Sequence, residues 1–202
     1  MSGRAGGRAP DAVAPFVLAT TGPDDTRALG AALASVLVPG DVVLLVGDLG
    51  AGKTVLAQGI AVGLGVTDTV TSPTFTLVRP LPCGHGPVRT MLHADLYRLE
   101  HRREVVDLAL GELVEDEAVA VVEWGEAAAP LLGADALTVR IVAPDLQGEE
   151  TGRVLALEPS GTWVARAGAL CEALAPWRAD GDRAVTGGVT GGAASARESA
   201  GR

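Results

Sequence analysis

Apolar and polar positions along the chain follow two different periods, and the alternation predicts a succession of strands and helices. Residues 41–46 (DVVLLV) form a short, nearly all-apolar run, which is typical of a strand buried on both faces of a parallel sheet. The flanking segments 24–37 and 53–64 have apolar residues at helical spacing. We expect the first helix to stop before Pro39 and Gly40 and the second to close at Gly65.

Shorter runs of apolar and β-branched residues predict the rest of a sheet. The expected strands are an edge strand at 15–20 and further strands at 75–78, 90–96, 119–123, 137–142 and 154–157. Helical spacing also predicts helices at 104–113 and 163–174. Strands and helices alternate early and strands cluster late, which favours an α/β three-layer domain with a mixed, mostly parallel sheet.

The two ends of the chain lack this periodicity. Residues 1–14 are rich in Gly, Ala, Pro and Arg, and residues 179–202 are a tail of Gly, Ala, Thr and Ser. We expect both to be disordered, which leaves 15–178 as one domain. A chain of 202 residues is long enough for one ordinary core.

Composition and charge narrow the possible functions. No apolar run is long enough to span a membrane and no secretory signal is recognisable, so we expect a cytoplasmic protein without membrane contact. The net charge of −9 argues against binding nucleic acid without a partner. Cys83 and Cys171 lack metal-site or redox spacing and are expected to be unreactive.

The segment 47–54 (GDLGAGKT) carries the clearest chemistry. It matches the phosphate-binding pattern G-x-x-x-x-G-K-[ST] between a predicted buried strand and a predicted helix, the context of a P-loop. Its glycines allow successive backbone N–H groups to face an anion. We therefore expect a P-loop NTPase-like fold that binds ATP, with contacts from these loop residues: Asp48, Leu49, Gly50, Ala51, Gly52, Lys53 and Thr54.

Lys53 is the only lysine beside fifteen arginines in the chain. A compact ammonium reaches between β- and γ-phosphate oxygens, where a planar guanidinium is too bulky. The Thr54 hydroxyl is expected to bind Mg²⁺. Asp95 and Glu123 stand at or near the ends of apolar strands and are the candidate acidic neighbours of the metal, although either is equally well a solvated strand end.

Three blocks in this order resemble the TsaE (formerly YjeE) family, the small bacterial ATPases required to make N6-threonylcarbamoyladenosine in tRNA. The blocks are GDLGAGKTVLAQGIAVGLGV (47–66), TSPTFTLV (71–78) followed by HADLYRL (93–99), and VVEWGE (121–126). The resemblance runs from about residue 21 to residue 157. The connection PLPCGHGP (80–87) departs from the family's usual aromatic-containing connection.

The resemblance implies roles for individual residues. Lys53 and Thr54 would bind the phosphates and Mg²⁺, Glu123 would help to hold the metal, and Asp95 would take the Walker B-like catalytic or metal role. The segment 72–76 would be a switch-like loop that senses the γ-phosphate, with side chains from Ser72, Thr74 and Thr76. An ordinary β-turn before a strand is the alternative for that segment.

The resemblance implies two further positions in less detail, and the strand period adds a third. Trp124 matches the family's tryptophan near the nucleotide, although a core tryptophan is the alternative. The segment 21–26, with Pro23, is similar to the family's adenine-side contact. By the strand period of two, His93 shares a strand face with Asp95 and could orient that carboxylate, but a satisfied, partly buried histidine is the favoured interpretation.

The function implied is that of an ATPase of low intrinsic activity, stimulated within a partner complex. Its nucleotide cycle would drive TsaD and TsaB through threonylcarbamoyl transfer to tRNA adenosine, with tRNA contacted only through the complex. A small-molecule kinase is the main alternative, but it requires an arginine-rich lid, for which 98–103 is the only candidate. A GTPase would need an N-K-x-D motif, which a chain with one lysine lacks. A non-catalytic nucleotide-binding module also remains open.

Overall fold

The computed structural model describes residues 15–71, 77–97, 114, 117–143 and 152–179. Within these residues, short 3-10 turns occur at Gly133–Asp135 and Ala175–Trp177. The strands and helices in chain order are β1 (Phe16–Thr20), α1 (Pro23–Ala34), β2 (Val42–Val46), α2 (Lys53–Gly63), β3 (Val78–Pro82), β4 (Thr90–Asp95), β5 (Ala118–Glu123), α3 (Ala129–Leu132), β6 (Leu137–Val142), β7 (Arg153–Pro159), α4 (Thr162–Ala165) and α5 (Ala167–Ala173).

The strands form one mixed sheet in the order β1-β7-β6-β2-β5-β4-β3. Strand β2 is hydrogen-bonded between β5 and β6 and is parallel to both, and β4 is parallel to β5. Strands β3 and β7 run antiparallel to their neighbours, and β1 pairs antiparallel with β7 at the edge. Most strands therefore point the same way, which confirms the predicted α/β class with a mixed, mostly parallel sheet.

Strand β2 is buried along its whole length because both faces of the sheet are covered, as the all-apolar run predicts. Val43 and Leu45 point into a core shared with α1 and α2. Val42 and Leu44 point to the opposite face, into a core that includes Ala128. The carboxyl end of this strand is consequently a rigid platform for the loop that follows.

Helices α1 and α2 approach so closely that only glycine fits at their crossing. A Cβ atom at Gly30 would lie 2.6 Å from the carbonyl oxygen of Leu56, and one at Gly59 would lie 2.2 Å from the carbonyl oxygen of Arg27. Such distances are far inside van der Waals contact, so a larger residue would force the helices apart. The crossing holds α2 against the rest of the domain, including its amino terminus beside β2.

Asp25 anchors the start of α1. Its carboxylate accepts hydrogen bonds from the Thr21 backbone N–H at 2.8 Å and from the Trp177 indole at 2.6 Å. Burial alone would raise the pKa of Asp25, but the hydrogen bonds from Thr21 and Trp177 outweigh it, so the pKa is lowered. An acidic residue in the first turn also complements the helix dipole, as the sequence predicts.

Of the predicted strand at 75–78, only residues 77 and 78 are described, and the prediction holds at Val78 but not at Leu77. Leu77 lies in a bend and the strand is β3, so the segment 80–87 is not wholly a connection. Strand β3 contains Pro80 and Pro82, which lack a backbone N–H and are tolerated because the strand lies at the sheet edge. The remaining predicted strands agree with the structure within a few residues.

The predicted helix at 163–174 is helical over most of its length but is not a single element, because it divides into α4 and α5 at Arg166. The Arg166 guanidinium forms a two-pronged ion pair with buried Asp41 and lies 4.1 Å from the centre of the Trp163 ring. The Arg166 backbone, with φ of −99° and ψ of 5°, departs from helical values. The break in the helical period therefore coincides with these tertiary contacts.

Several predictions lie outside the described residues: the helix at 104–113, the switch-like segment 72–76, the tail at 1–14 and nearly all of the tail at 179–202. Helix α3 was not predicted. Among the described segments, no helix is both long enough and apolar enough to cross a membrane.

Candidate nucleotide-binding site

The glycine-rich loop 47–54 joins the carboxyl end of β2 to the amino end of α2, as predicted. Gly52 precedes α2 with φ of 109°, a left-handed conformation that favours glycine. Gly47 has φ of 148°, and a Cβ atom there would lie 2.3 Å from the carbonyl oxygen of Ile141. The loop leads directly into the first turn of α2, where the backbone N–H groups have no partner within the helix. N–H groups in this position are suited to binding an anion.

Lys53 is the most buried cation of this region, with 5% of its surface exposed. Its Nζ donates hydrogen bonds to the carbonyl oxygens of Gly47 at 2.6 Å and Asp48 at 2.9 Å. The same atom lies 3.6 Å from the centre of the Trp124 ring, a cation–π contact. Burial lowers the pKa of Lys53, and four surrounding carboxylates, of which Glu123 has the largest effect, oppose that shift.

Trp124 lies beside Lys53 because the backbone turns sharply after β5. Its φ of 57° is a left-handed conformation that a large side chain rarely adopts and that costs on the order of 1–3 kcal/mol. The ring also packs against Tyr97, with the ring centres 4.8 Å apart at a tilt of 45°. The strained turn thus directs an aromatic face toward the ammonium group.

Thr54, Glu123 and His93 form a continuous hydrogen-bonded chain. Thr54 Oγ1 donates to Glu123 Oε2 at 2.7 Å, and His93 Nε2 lies 2.9 Å from Glu123 Oε1. Because a carboxylate can only accept, the imidazole is the donor. His93 therefore orients Glu123 on the neighbouring strand and not Asp95, in line with the favoured interpretation of a buried, hydrogen-bonded histidine. His93 Nδ1 is buried without a hydrogen-bond partner.

Asp95 stands at the carboxyl end of β4, directly beside Glu123 in the register of the two parallel strands. Its Oδ1 accepts a hydrogen bond from the Tyr97 backbone N–H at 3.0 Å. Side chains of alternate residues share a face, so Asp95, His93 and Glu123 all lie on the α2 side of the sheet. Unlike Glu123, Asp95 is only partly buried.

The loop and the two strand ends surround a cleft of about 290 Å³. The cleft brings together many predicted site residues and adds Val55, which was not predicted. Its lining consists of Leu49, Gly50, Gly52, Lys53, Thr54, Val55, Asp95, Glu123 and Trp124.

The other predicted residues do not line the cleft or lie outside the described residues. Asp48 contributes its carbonyl oxygen to Lys53, and Ala51 is buried within the loop. Pro23 is exposed at the first position of α1, so its contact with adenine stays a prediction. The remaining three, Ser72, Thr74 and Thr76, lie outside the described residues.

The donor set in the cleft suits a hard cation. Thr54, Asp95 and Glu123 offer a hydroxyl and two carboxylates, the oxygen ligands that Mg²⁺ prefers. In the part of the chain that the structure describes, no group of three or more His, Cys, Asp or Glu side chains is arranged to hold a metal by itself. Such a set fits a Mg²⁺ ion that takes its other ligands from phosphate and water.

Two further side chains touch the loop and were missed from the sequence. Glu126 Oε1 accepts a hydrogen bond from the Gly47 N–H at 3.2 Å. Arg153 Nε donates to the carbonyl oxygen of Ala51 at 2.8 Å. Glu126 lies two positions after Trp124, so its nearness to the site could have been predicted from the sequence. Nothing near Arg153 in the sequence indicates a contact with a loop about a hundred positions earlier.

A glycine-rich loop between a central parallel strand and a helix, with a buried lysine and a hydroxyl-bearing residue at the helix start, defines the P-loop NTPase-like class. The particular family follows from comparison with known proteins. The family model described as "Threonylcarbamoyl adenosine biosynthesis protein TsaE" matches residues 20–151. The chain belongs to the TsaE family.

Individual relatives agree with this membership. Three are each named "tRNA threonylcarbamoyladenosine biosynthesis protein TsaE". That of Streptomyces coelicolor is 48% identical over 117 residues, covering 57% of this chain and 77% of the relative. That of Mycobacterium tuberculosis is 47% identical over 128 residues, covering 58% and 73%. That of Bacillus subtilis is 44% identical over 105 residues, covering 52% of this chain, and the chain spans 63% of that relative's length.

The fold is similar to that in the crystal structure of YdiB from Bacillus subtilis. The TM-score is 0.61 with 30% sequence identity, and the match covers 80% of this chain and 95% of that one.

Proposed function

We propose that this protein binds ATP with Mg²⁺ in the cleft, hydrolyses it slowly by itself, and supports threonylcarbamoyl transfer to tRNA adenosine through TsaD and TsaB. The observation that carries the proposal is the convergence of Lys53, Thr54 and Glu123 on one cleft in a chain of the TsaE family. The family's name concerns threonylcarbamoyladenosine synthesis. TsaD and TsaB are the partners that the resemblance to this family implies.

Phosphate binding follows from the loop and Lys53. The N–H groups at the start of α2 offer partial positive charge, and the Lys53 ammonium is already held in the loop with little water around it. Its present bonds are to two neutral carbonyl oxygens. Phosphate oxygens are stronger acceptors because they are charged, so the ammonium exchanges carbonyl partners for phosphate when ATP binds.

Glu123 and Asp95 take different roles in this proposal because their surroundings differ. Both oxygens of Glu123 hold hydrogen bonds, to Thr54 and His93, and the residue is 2% exposed. We assign Glu123 to holding Thr54 and the Mg²⁺ shell. Asp95 is the more accessible carboxylate at the same strand ends, and we assign it to orienting the attacking water and accepting its proton.

Mg²⁺, when bound, would neutralise charge on the triphosphate, and Thr54 and Glu123 are the residues that would hold it. Catalysis by the protein itself then consists of positioning and electrostatic stabilisation. Lys53 and the loop N–H groups stabilise negative charge on the transferred phosphoryl group, and Asp95 holds the water in line.

The net charge of −9 supports a role through protein partners. A phosphate backbone attracts clustered positive charge, so an acidic chain gains little from direct contact with tRNA. We therefore propose that tRNA is engaged by the partner complex and that this chain contributes the nucleotide cycle.

The test compares the full chain with Lys53→Ala and Lys53→Arg, and uses Arg89→Ala as the control. Arg89 is exposed and precedes β4, at the opposite end of the sheet from the cleft. ATP affinity, phosphate release and threonylcarbamoyladenosine formation are measured with and without TsaD, TsaB and tRNA.

We expect both Lys53 variants to lose repeated modification, Lys53→Arg included because the guanidinium does not fit the loop. Arg89→Ala should behave like the unmodified chain, and partners should raise turnover. Hydrolysis that proceeds without any effect on tRNA modification would refute the pathway but leave ATP binding in place. Transfer of the phosphate to a small acceptor in preference to water would refute the ATPase assignment.

A further inference from the structure

Arg153 reaches from β7 to the outer side of the phosphate-binding loop. Its Nε donates to the carbonyl oxygen of Ala51 at 2.8 Å, and its Nη2 lies 3.4 Å from the carbonyl oxygen of Gly50. Its Nη1 donates to the carbonyl oxygen of Gly152 at 2.7 Å, which holds the guanidinium in place against its own strand. One side chain thus contacts two consecutive peptide groups of the loop.

The geometry of the trans peptide gives this contact a consequence. In a trans peptide the C=O and the following N–H point in opposite directions. Arg153 is not among the residues that line the cleft, so when it holds the Ala51 carbonyl, the N–H of Gly52 points away from the guanidinium. Gly52 has φ of 109° and lies close to the guanidinium, since a Cβ atom added to this glycine would be 3.8 Å from Arg153 Nε.

The need for such an anchor follows from the flexibility of the loop. Gly50 and Gly52 both have positive φ and are the residue type with the greatest conformational freedom. The Ala51 N–H and the Gly52 carbonyl have backbone partners, so without Arg153 the peptide between these residues is held only by the contacts on either side of it. The guanidinium is also permanently charged, which favours binding of a polyanion by the same loop.

We propose that Arg153 is a positioning residue that orients the Ala51–Gly52 peptide so that the Gly52 N–H faces the bound phosphates. This inference rests on the proposed function, because it assigns Arg153 to the same phosphate site. Arg153 acts through the loop backbone, so it selects for polyphosphate and not for the base.

The experiment measures dissociation constants of the full-length protein for ATP, ADP and tripolyphosphate by calorimetry. The variants are Arg153→Ala and Arg153→Lys, with Arg89→Ala as the matched loss of an exposed arginine. We expect Arg153→Ala to weaken all three ligands by on the order of tenfold, the effect of about one charge-assisted hydrogen bond. Arg153→Lys should recover part of the affinity because an ammonium reaches one carbonyl but not two.

Two further readouts separate positioning from general stability. The amide chemical shift of Gly52 should move in Arg153→Ala more than amides in the core of the sheet. In hydrolysis assays, KM should rise while kcat changes little, because the chemical groups Lys53 and Asp95 are untouched. If Arg153→Ala folds poorly, Arg153→Lys decides the question by the same measurements.

Unchanged affinity for all three ligands in Arg153→Ala would overturn the inference while the proposed function stands. Weaker binding of ATP and ADP with normal binding of tripolyphosphate would also overturn it, because Arg153 would then contact the nucleoside. Failure of the unmodified chain to bind any of the three would remove the proposed function itself, and this inference with it.

Discussion

Replacement of His93 by alanine is the sharpest test of the hydrogen-bonded chain behind the cleft. His93 is fully buried, and its single hydrogen bond goes to Glu123 Oε1. The alanine variant removes the donor and leaves a buried carboxylate oxygen without its partner. Glu123 would then hold Thr54 less firmly, since the Thr54 hydroxyl bonds the other oxygen of the same group.

The magnitude can be worked from these contacts. A hydrogen bond to a charged group contributes about 1.5–3 kcal/mol, and the space left by the imidazole adds a packing loss. We therefore expect the free energy of unfolding to fall by about 3 kcal/mol, which for a domain of this size lowers the melting temperature by roughly 6–12 °C. His93→Gln should lose much less, because its amide N–H can occupy nearly the position of Nε2.

The assay combines urea unfolding, followed by circular dichroism, with the Mg²⁺ dependence of ATP hydrolysis. A double-mutant cycle with Glu123→Ala, which removes the acceptor, isolates the contact, and coupled neighbours differ from additivity by about 0.5–3 kcal/mol. His93→Ala should also need more Mg²⁺ for half-maximal rate. Additive unfolding energies together with an unchanged Mg²⁺ requirement would refute the assignment of His93 as the partner that orients Glu123.

Three further predictions follow from separate parts of the structure. Gly59→Ala should destabilise the protein by about 1–3 kcal/mol, because the added Cβ meets the backbone of α1. The control Gly168→Ala, with open space around its Cβ, should stabilise the protein by about 0.4–1 kcal/mol. Equal effects of the two variants in thermal unfolding would contradict the close crossing of α1 and α2. In a variant that keeps Trp124 as its only tryptophan, saturating ATP should change the tryptophan fluorescence, because the Lys53 ammonium moves from the Trp124 ring to the phosphates. Unchanged emission with ATP bound would argue against this movement of Lys53. Asp25→Asn should be less stable than the unmodified chain at neutral pH. Urea titrations should show that the difference in free energy of unfolding shrinks as pH falls through the lowered pKa of Asp25, because protonation of the carboxylate then removes the same interaction. A difference in stability that persists at low pH would contradict this role of the carboxylate.

Some features of the site could be read from neighbouring residues alone. The loop 47–54 depends on glycine conformations and on a strand and helix adjacent in the chain, so its pattern predicts its backbone. Glu123 and Asp95 could be proposed for the same edge because parallel strands end together. Trp124 was predicted near the nucleotide through the family resemblance, and the structure adds its contact with Lys53.

Other features required the folded chain. The partner of His93 depends on which strand lies beside β4, and period two along one strand carries no information about that neighbour. The division of the last helix at Arg166 coincides with an ion pair to Asp41, which is distant in sequence. Arg153 reaches the loop because β7 runs antiparallel to β6 and begins beside the carboxyl end of that strand, where the loop also starts.

By itself, then, the sequence determined the α/β class, the buried central strand and the phosphate-binding loop, because each arises from interactions among residues close along the chain. Only the tertiary structure decided how Lys53 meets Trp124 and how Glu123 and Arg153 are held. Their partners come from separate strands and turns, and the order in which strands assemble depends on packing across the whole sheet.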